Sequence, residues 1–179
     1  MNKTVIFCIL WICFLLSACS PPLQKYSRSL RITEKPENRL YTLSIEQWGS
    51  VKFSGLLALQ FNGSSLSYAM LDATGIKLIE GEVDFQGKYT IKSAMTGLKG
   101  SSLPGYLSTS LARTFLMIPL DNPCSRDGLM LFCISLSEGG YNKIMKIEPF
   151  TLWEVQRSNG VIVYLQPWFG MRMTFQPGE

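Results

Sequence analysis

The chain has no histidine. Ser-His and Cys-His nucleophilic pairs, which need an imidazole beside the nucleophile, are therefore excluded. GxSxG, the P-loop pattern and GxGxxG are also missing, so the nucleophile elbow and the usual phosphate cradles are absent. No apolar run reaches the roughly 20 residues that a membrane-spanning helix needs; the longest covers residues 5–16. No basic stripe runs along the body, which argues against a nucleic-acid partner. There is no internal repeat and no low-complexity tract. These absences point to a protein that is not an enzyme and calls for no cofactor or metal.

What is present begins with an export signal. One lysine in a short polar start precedes the apolar core VIFCILWICFLL, which is the length of a signal-peptide core. Leu16-Ser17-Ala18-Cys19 follows, and a Leu, two small residues and a Cys resemble the lipobox of bacterial lipoproteins. The resemblance implies removal of residues 1–18 and lipidation of Cys19. Several acyl chains, at about 0.8 kcal/mol per buried CH₂, make a stable anchor where one does not. Ser20, in place of an Asp, resembles an outer-membrane address, with the lipid-anchored body facing the periplasm.

Charge divides the remainder. Six of the seventeen basic residues and two of the thirteen acidic ones precede Leu40, which leaves eleven of each in the body. Residues 19–39 carry three prolines and Lys25, Arg28, Arg31, Lys35 and Arg39, and read as a flexible basic tether. Its charges suit anionic headgroups, at about 1 kcal/mol each near a surface, or simply keep a solvated linker extended. Residues 40–179 are one domain. Beyond Cys19 the only cysteines are Cys124 and Cys133, which in an oxidising envelope read as a disulfide. A tight turn at Asp127-Gly128 would set Cys124 opposite Leu131, so the bridge needs a longer loop or a bulge.

Period-two alternation dominates the body. Val51, Phe53, Gly55, Leu57, Leu59 and Phe61 share one face, Asn62-Gly63 is a hairpin signal, and Leu66, Tyr68 and Met70 return on the same face. A two-residue turn at Asn62-Gly63 pairs Leu59 with Leu66 and Leu57 with Tyr68. With Asp72 facing Ile76, Met70 falls beside Leu78. The apolar parity then changes around Gly81, which predicts a bulge. Tyr89, Ile91 and Ser93 complete a four-stranded meander, with a further strand near residues 41–48 before it. Leu103, Leu107, Leu111 and Phe115 recur every fourth residue and predict an amphipathic helix, with Ser102 as its cap and Ile118-Pro119 as its end. Residues 129–136 are continuously apolar and suggest a central strand. Strands are also expected at 144–147, 150–157 and 161–165, with a turn at Asn159-Gly160, and at 171–175.

Two features invite functional readings. Glu80, Glu82 and Asp84 alternate on one strand: a carboxylate or calcium site, or more commonly a solvated strand face. Trp168 and Phe169 stand in a short loop. They either meet a membrane or protein partner or close the core.

The stretch LSYAMLDATGIKLIEGEVDFQGKYTI, followed by the Leu103-Pro104 helix, resembles the LolA/LolB group of lipoprotein carriers and receptors. That resemblance implies a mainly β (α+β) fold: one open, curved antiparallel sheet, a half-barrel, with one or two helices in its concave face. It implies an apolar ligand pocket of Leu57, Leu59, Leu66, Tyr68 and Met70 facing Leu107, Leu111 and Phe115, and a role in binding an acyl chain, a lipoprotein or another apolar ligand at the outer membrane. The alternative is a non-enzymatic accessory that docks on another envelope protein.

Overall fold

A computed structural model describes residues 38–121 and 123–178. The signal peptide, Cys19 and nearly all of the tether lie outside the described residues. The body is mainly β: eleven strands form one antiparallel sheet with a single α-helix among the described residues. The strands are β1 (Arg39–Gln47), β2 (Ser50–Phe61), β3 (Ser65–Asp72), β4 (Lys77–Asp84), β5 (Tyr89–Ala94), β6 (Cys124–Asp127), β7 (Met130–Ser137), β8 (Gly140–Ile147), β9 (Phe150–Ser158), β10 (Val161–Gln166) and β11 (Met171–Pro177). Their order across the sheet is β5-β4-β3-β2-β1-β11-β10-β9-β8-β7-β6. Every connection within the two meanders is a hairpin. The two halves join where β11 pairs with β1.

Alternation decides the faces. Tyr41, Leu43 and Ile45, Leu57 and Leu59, Leu66, Tyr68 and Met70, Trp153 and Val155, Ile162 and Tyr164, and Met173 and Phe175 are buried, and their strand neighbours are not. Against this face lies α1 (Leu103–Leu111), which continues through a wider π turn, Ala112–Leu116, closed by the Met117 N–H on the Ala112 carbonyl at 2.8 Å. Ser108, Thr109 and Thr114 each donate to the carbonyl four residues back, a bond that competes with regular helix and tends to bend it. Contacts show how far the sheet curls. At one flank a Cβ on Gly105 would meet the hydroxyl of Tyr89 on β5. At the other, Lys143 on β8 donates to the carbonyl of Thr114. A flat sheet would separate β5 and β8 by roughly 38 Å, whereas α1 and its π turn run only about 21 Å.

The predicted parity holds in β2 and β3 but not for Ile76 and Leu78, since Ile79 and Val83 are the buried residues of β4, and three registers differ from those expected. Phe61 pairs with Leu66, Leu59 with Tyr68 and Leu57 with Met70. The turn is Gly63-Ser64, one residue later than Asn62-Gly63, because only Gly63 there has positive φ, at 74°. β6 and β7 repeat this. Their turn is Gly128-Leu129, not Asp127-Gly128, so Cys124 lies directly opposite Cys133 and no longer loop or bulge is needed. The disulfide joins them with Cα atoms 4.0 Å apart. Met70 pairs with Ile79 instead of Leu78; a register shift next to it, and another between Glu80 and Gly81, absorb the parity change. Ser102 makes no side-chain cap; the Leu103 N–H reaches the Ser101 hydroxyl at 3.4 Å instead. β7 is not central but next to the edge strand β6, and Leu129 and Leu136 at its ends are exposed.

Candidate functional site

The eight residues of the expected pocket come together between β2, β3 and the helix. Seven are nearly fully buried, and Leu57, Leu107 and Leu111 have no accessible surface at all. Phe115, in the π turn, packs edge-on against Phe175 at 5.5 Å and tilted against Tyr41 at 5.8 Å. In this conformation the junction is closed, and a guest enters only if the helix moves off the strands. The junction also holds polar groups. Tyr68 crosses β4 above Gly81, where a Cβ would meet its hydroxyl at 2.6 Å, and forms a 2.5 Å hydrogen bond with Ser108. Burial raises the Tyr68 phenol above its usual pKa. Lys143, wholly buried, donates to the carbonyls of Thr114 at 2.9 Å and Met117 at 3.1 Å and so caps the helix end. Desolvation pushes its ammonium down to about 7.

The acidic row of β4 lies on the opposite face of its strand from Ile79 and Val83. Glu80 is paired with Lys77 at 2.5 Å, and Glu82 with the Ser65 hydroxyl and with Lys92 at 3.1 Å; these partners hold both carboxyls below their usual range. Asp84 accepts the Gln86 and Lys88 backbone N–H groups, both at 2.9 Å, and so shapes the β4–β5 turn. Each carboxylate is engaged in local structure.

Trp168 and Phe169 are each 57% exposed. They sit in the short 3₁₀ turn between β10 and β11. Trp168 meets the exposed Phe150 edge-on at 5.4 Å, and its indole N–H donates to the Thr151 carbonyl at 2.8 Å. On the other side, the Trp48 ring lies where a Cβ on Gly170 would stand, and the Trp48 N–H donates to the Gly170 carbonyl at 2.8 Å. Three turns are thereby linked into one aromatic strip.

The strip belongs to a larger pattern. In an antiparallel meander alternate turns share an end. One end of this sheet carries the turns β6–β7, β8–β9, β10–β11, β1–β2 and β3–β4 and the exit from β5. Each presents an exposed large apolar side chain: Leu129, Phe150, Trp168 with Phe169, Trp48 with Val51, Ile76, and Met95. Eight of the twelve exposed large hydrophobic side chains among the described residues therefore stand at this end. The other end carries the turns containing Gly63-Ser64, Gln86-Gly87, Glu138-Gly139 and Asn159-Gly160. Trp48 has φ 52° in a two-residue hairpin whose Gly49 has φ 76°, a type I′ geometry that favours Asn, Asp or Gly and penalises a bulky side chain.

Sequence reasoning missed Lys143, Arg113 and most of this rim. A lone Trp-Gly between two strands was the available signal for Trp48. Lys143 gave none, since a lysine on an apolar strand face cannot be told from an exposed one without the register. No helix among the described residues is long and apolar enough to cross a membrane. Comparison of the chain with protein-family models and with curated proteins finds no match.

Proposed function

We propose that the protein is a non-enzymatic, lipid-anchored envelope lipoprotein that stands on the outer membrane by its apolar turn rim and takes up an acyl chain or similar apolar ligand between helix and sheet, as in a LolA/LolB-like half-barrel. The observation that carries this reading is the gathering of exposed apolar side chains at one end of the sheet. Soluble proteins seldom leave a large contiguous apolar surface in water without a partner for it. A rim spread over many turns suits a flat target, a bilayer, better than the compact patch of a protein interface. Trp and Phe at the water boundary are the residues a membrane interface favours. The left-handed Trp48 supports the same reading, because a costly backbone state keeps a large aromatic at the tip of a turn.

Anchor and rim are compatible. β1 begins at Arg39, at the end away from the rim. The twenty residues from Cys19 to Arg39 reach up to roughly 66 Å, and β1 is only about 31 Å long. The tether is long enough to run alongside the body and share its membrane. Uptake of a guest is supported by the polar groups within the helix–sheet junction. Ser108, Ser110, Thr114 and Lys143 lose less on exposure to water than aliphatic residues in their place would.

The test is a photocrosslinking side chain placed at Leu129, Phe150 or Trp168, and at Gln86 or Asn159 as the opposite end, in the full chain in a two-membraned bacterium. Phospholipid adducts at the first three positions and not at the last two are expected. A single protein recovered at all three rim positions would instead make this an accessory that docks on another envelope protein. Exchanging Cys19 for Ala should release the chain from acyl labelling.

A further inference from the structure

The concave face contains a cation that the rim and the apolar junction leave unexplained. Arg113, in the π turn and half-buried, donates through one Nη1 to the Tyr164 hydroxyl at 2.8 Å, and its guanidinium carbon lies 5.7 Å from the centre of the Trp153 ring. Tyr164 passes the chain on by donating to Gln166 Oε1 at 3.2 Å. Among the described residues no carboxylate is paired with Arg113. A guanidinium has five N–H donors in a planar fork suited to an oxyanion, and half-burial without a counter-charge is costly. Two more hydroxyls on the same helix segment, those of Tyr106 and Ser110, are buried beside each other and have no further hydrogen-bond partner among the described residues. Burial raises the Tyr106 phenol far above its ordinary range, so it stays protonated and able to donate. Trp153 and Gln166 lie near the ends of β9 and β10 that lead into the rim, and Trp168 and Phe169 follow Gln166 directly.

We infer that Arg113, with Tyr164, Tyr106 and Ser110 around it, receives the carboxylate or phosphate head of an anionic amphiphile whose apolar tail lies toward Trp168 and Phe169. The inference rests on the membrane-facing reading of the rim and adds the chemistry of the guest. A neutral lipid leaves the fork unfilled. An anionic head pairs with the guanidinium in a bidentate arrangement and gives the buried hydroxyls an acceptor. Trp153 beneath the guanidinium holds the fork in place through a cation–π contact.

Photolabelling of the full chain in phosphatidylcholine vesicles tests it, using a palmitic acid that bears a diazirine near its tail and, in parallel, its methyl ester. The acid is expected to label the peptides containing Trp153 and Trp168 about tenfold more than the ester, the size of one charge-assisted hydrogen bond. Arg113→Gln should bring the acid down to the level of the ester, and Arg113→Lys should keep part of the difference. Equal labelling by acid and ester on the unaltered chain overturns the inference without any variant having to fold. So does an Arg113→Gln chain that still prefers the acid. Loss of labelling to inorganic phosphate alone marks a free-ion site and overturns the assignment to an amphiphile. If Trp168→Ser with Phe169→Ser leaves the acid preference intact while crosslinks from Leu129 and Phe150 to phospholipid are absent, the membrane stance fails and the head site stands.

Discussion

Lys143 makes the stability of this protein depend on pH in an unusual direction. Its ammonium is wholly buried and, among the described residues, touches no carboxylate and is held by two carbonyls and the Tyr141 ring, 5.2 Å from the nitrogen. Burial lowers its pKa from 10.5 to about 7. A base that is depressed on folding binds fewer protons folded than unfolded throughout the window between those two values, so stability must rise with pH across it. Below about 7 both states carry the proton and the full cost of burying the charge is felt. From pH 7 to pH 9 the gain is about 2 kcal/mol, a slope approaching 1.4 kcal/mol per pH unit.

Urea unfolding followed through tryptophan emission, at intervals from pH 6 to pH 9, measures this directly. The window is unusually clean. The chain has no histidine to titrate in it, and Cys124 and Cys133 are bridged. The buried Tyr68 and Tyr106 keep their protons more tightly folded than unfolded, and their opposite contribution begins only near pH 10. Lys143→Met separates the two parts of the effect. It removes the charge, which favours the variant below pH 7, and leaves the Thr114 and Met117 carbonyls without a donor, which costs about 1–3 kcal/mol for each buried group. The two stability curves should therefore converge or cross as pH falls, with the variant's nearly flat. A wild-type midpoint that stays level or declines from pH 7 to pH 9, or a variant that keeps the wild-type slope, would refute the reasoning.

Other consequences are simpler to check. Gly81→Val should drive Tyr68 off β4 and break its bond to Ser108, lowering unfolding stability by about 2–3 kcal/mol in the same urea assay. Opening the Cys124–Cys133 bridge, which closes a separation of nine residues, should cost about 2–3 kcal/mol, and intact mass should rise by two hydrogens on reduction. Leu111→Ala, at a site with no accessible surface, should cost about 2–5 kcal/mol by leaving a cavity between helix and sheet. If that cavity admits a hydrocarbon, added decane should restore part of the loss; no recovery would mean that the junction collapses instead.

Faces were legible in the sequence and registers were not, for one physical reason. Side-chain parity follows from the two-residue repeat of a strand, so Leu57, Leu66 and Tyr68 were placed on the buried face from spacing alone. Register depends on which turn residue takes a left-handed conformation. At Asn159-Gly160 both residues do, with φ 51° and 81°, and the asparagine-glycine rule gives the right turn. At Gly63 and Gly128 the glycine comes first of the two, and each pairing moves by two residues without changing its face. The disulfide looked misaligned for this reason alone. Burial on one face, in turn, cannot distinguish a filled core from a closed pocket, which is why Leu107 and Leu111 fit either description.

The rim lies between these cases. Exposure of Phe150 or Leu129 cannot be read from spacing, but the rule that alternate turns of a meander share an end needs only the strand count. Applied to the turns here, it places the tryptophans of Trp48-Gly49 and Pro167-Trp168 on the same side as the apolar residues bordering Gly128 and Pro149, and puts Gly63-Ser64 and Asn159-Gly160 on the other. The gathering of most exposed apolar side chains at one end, with only Leu40, Tyr89 and Leu136 near the other among the described residues, is therefore encoded in the order of the hairpins. A substitution series that moves Trp48 to the Asn159 turn should carry phospholipid contact with it only if the bilayer recognises the residue rather than the end of the sheet. The present geometry requires the opposite: one displaced tryptophan at the far end should gain no contact, because five apolar turns remain together at the rim.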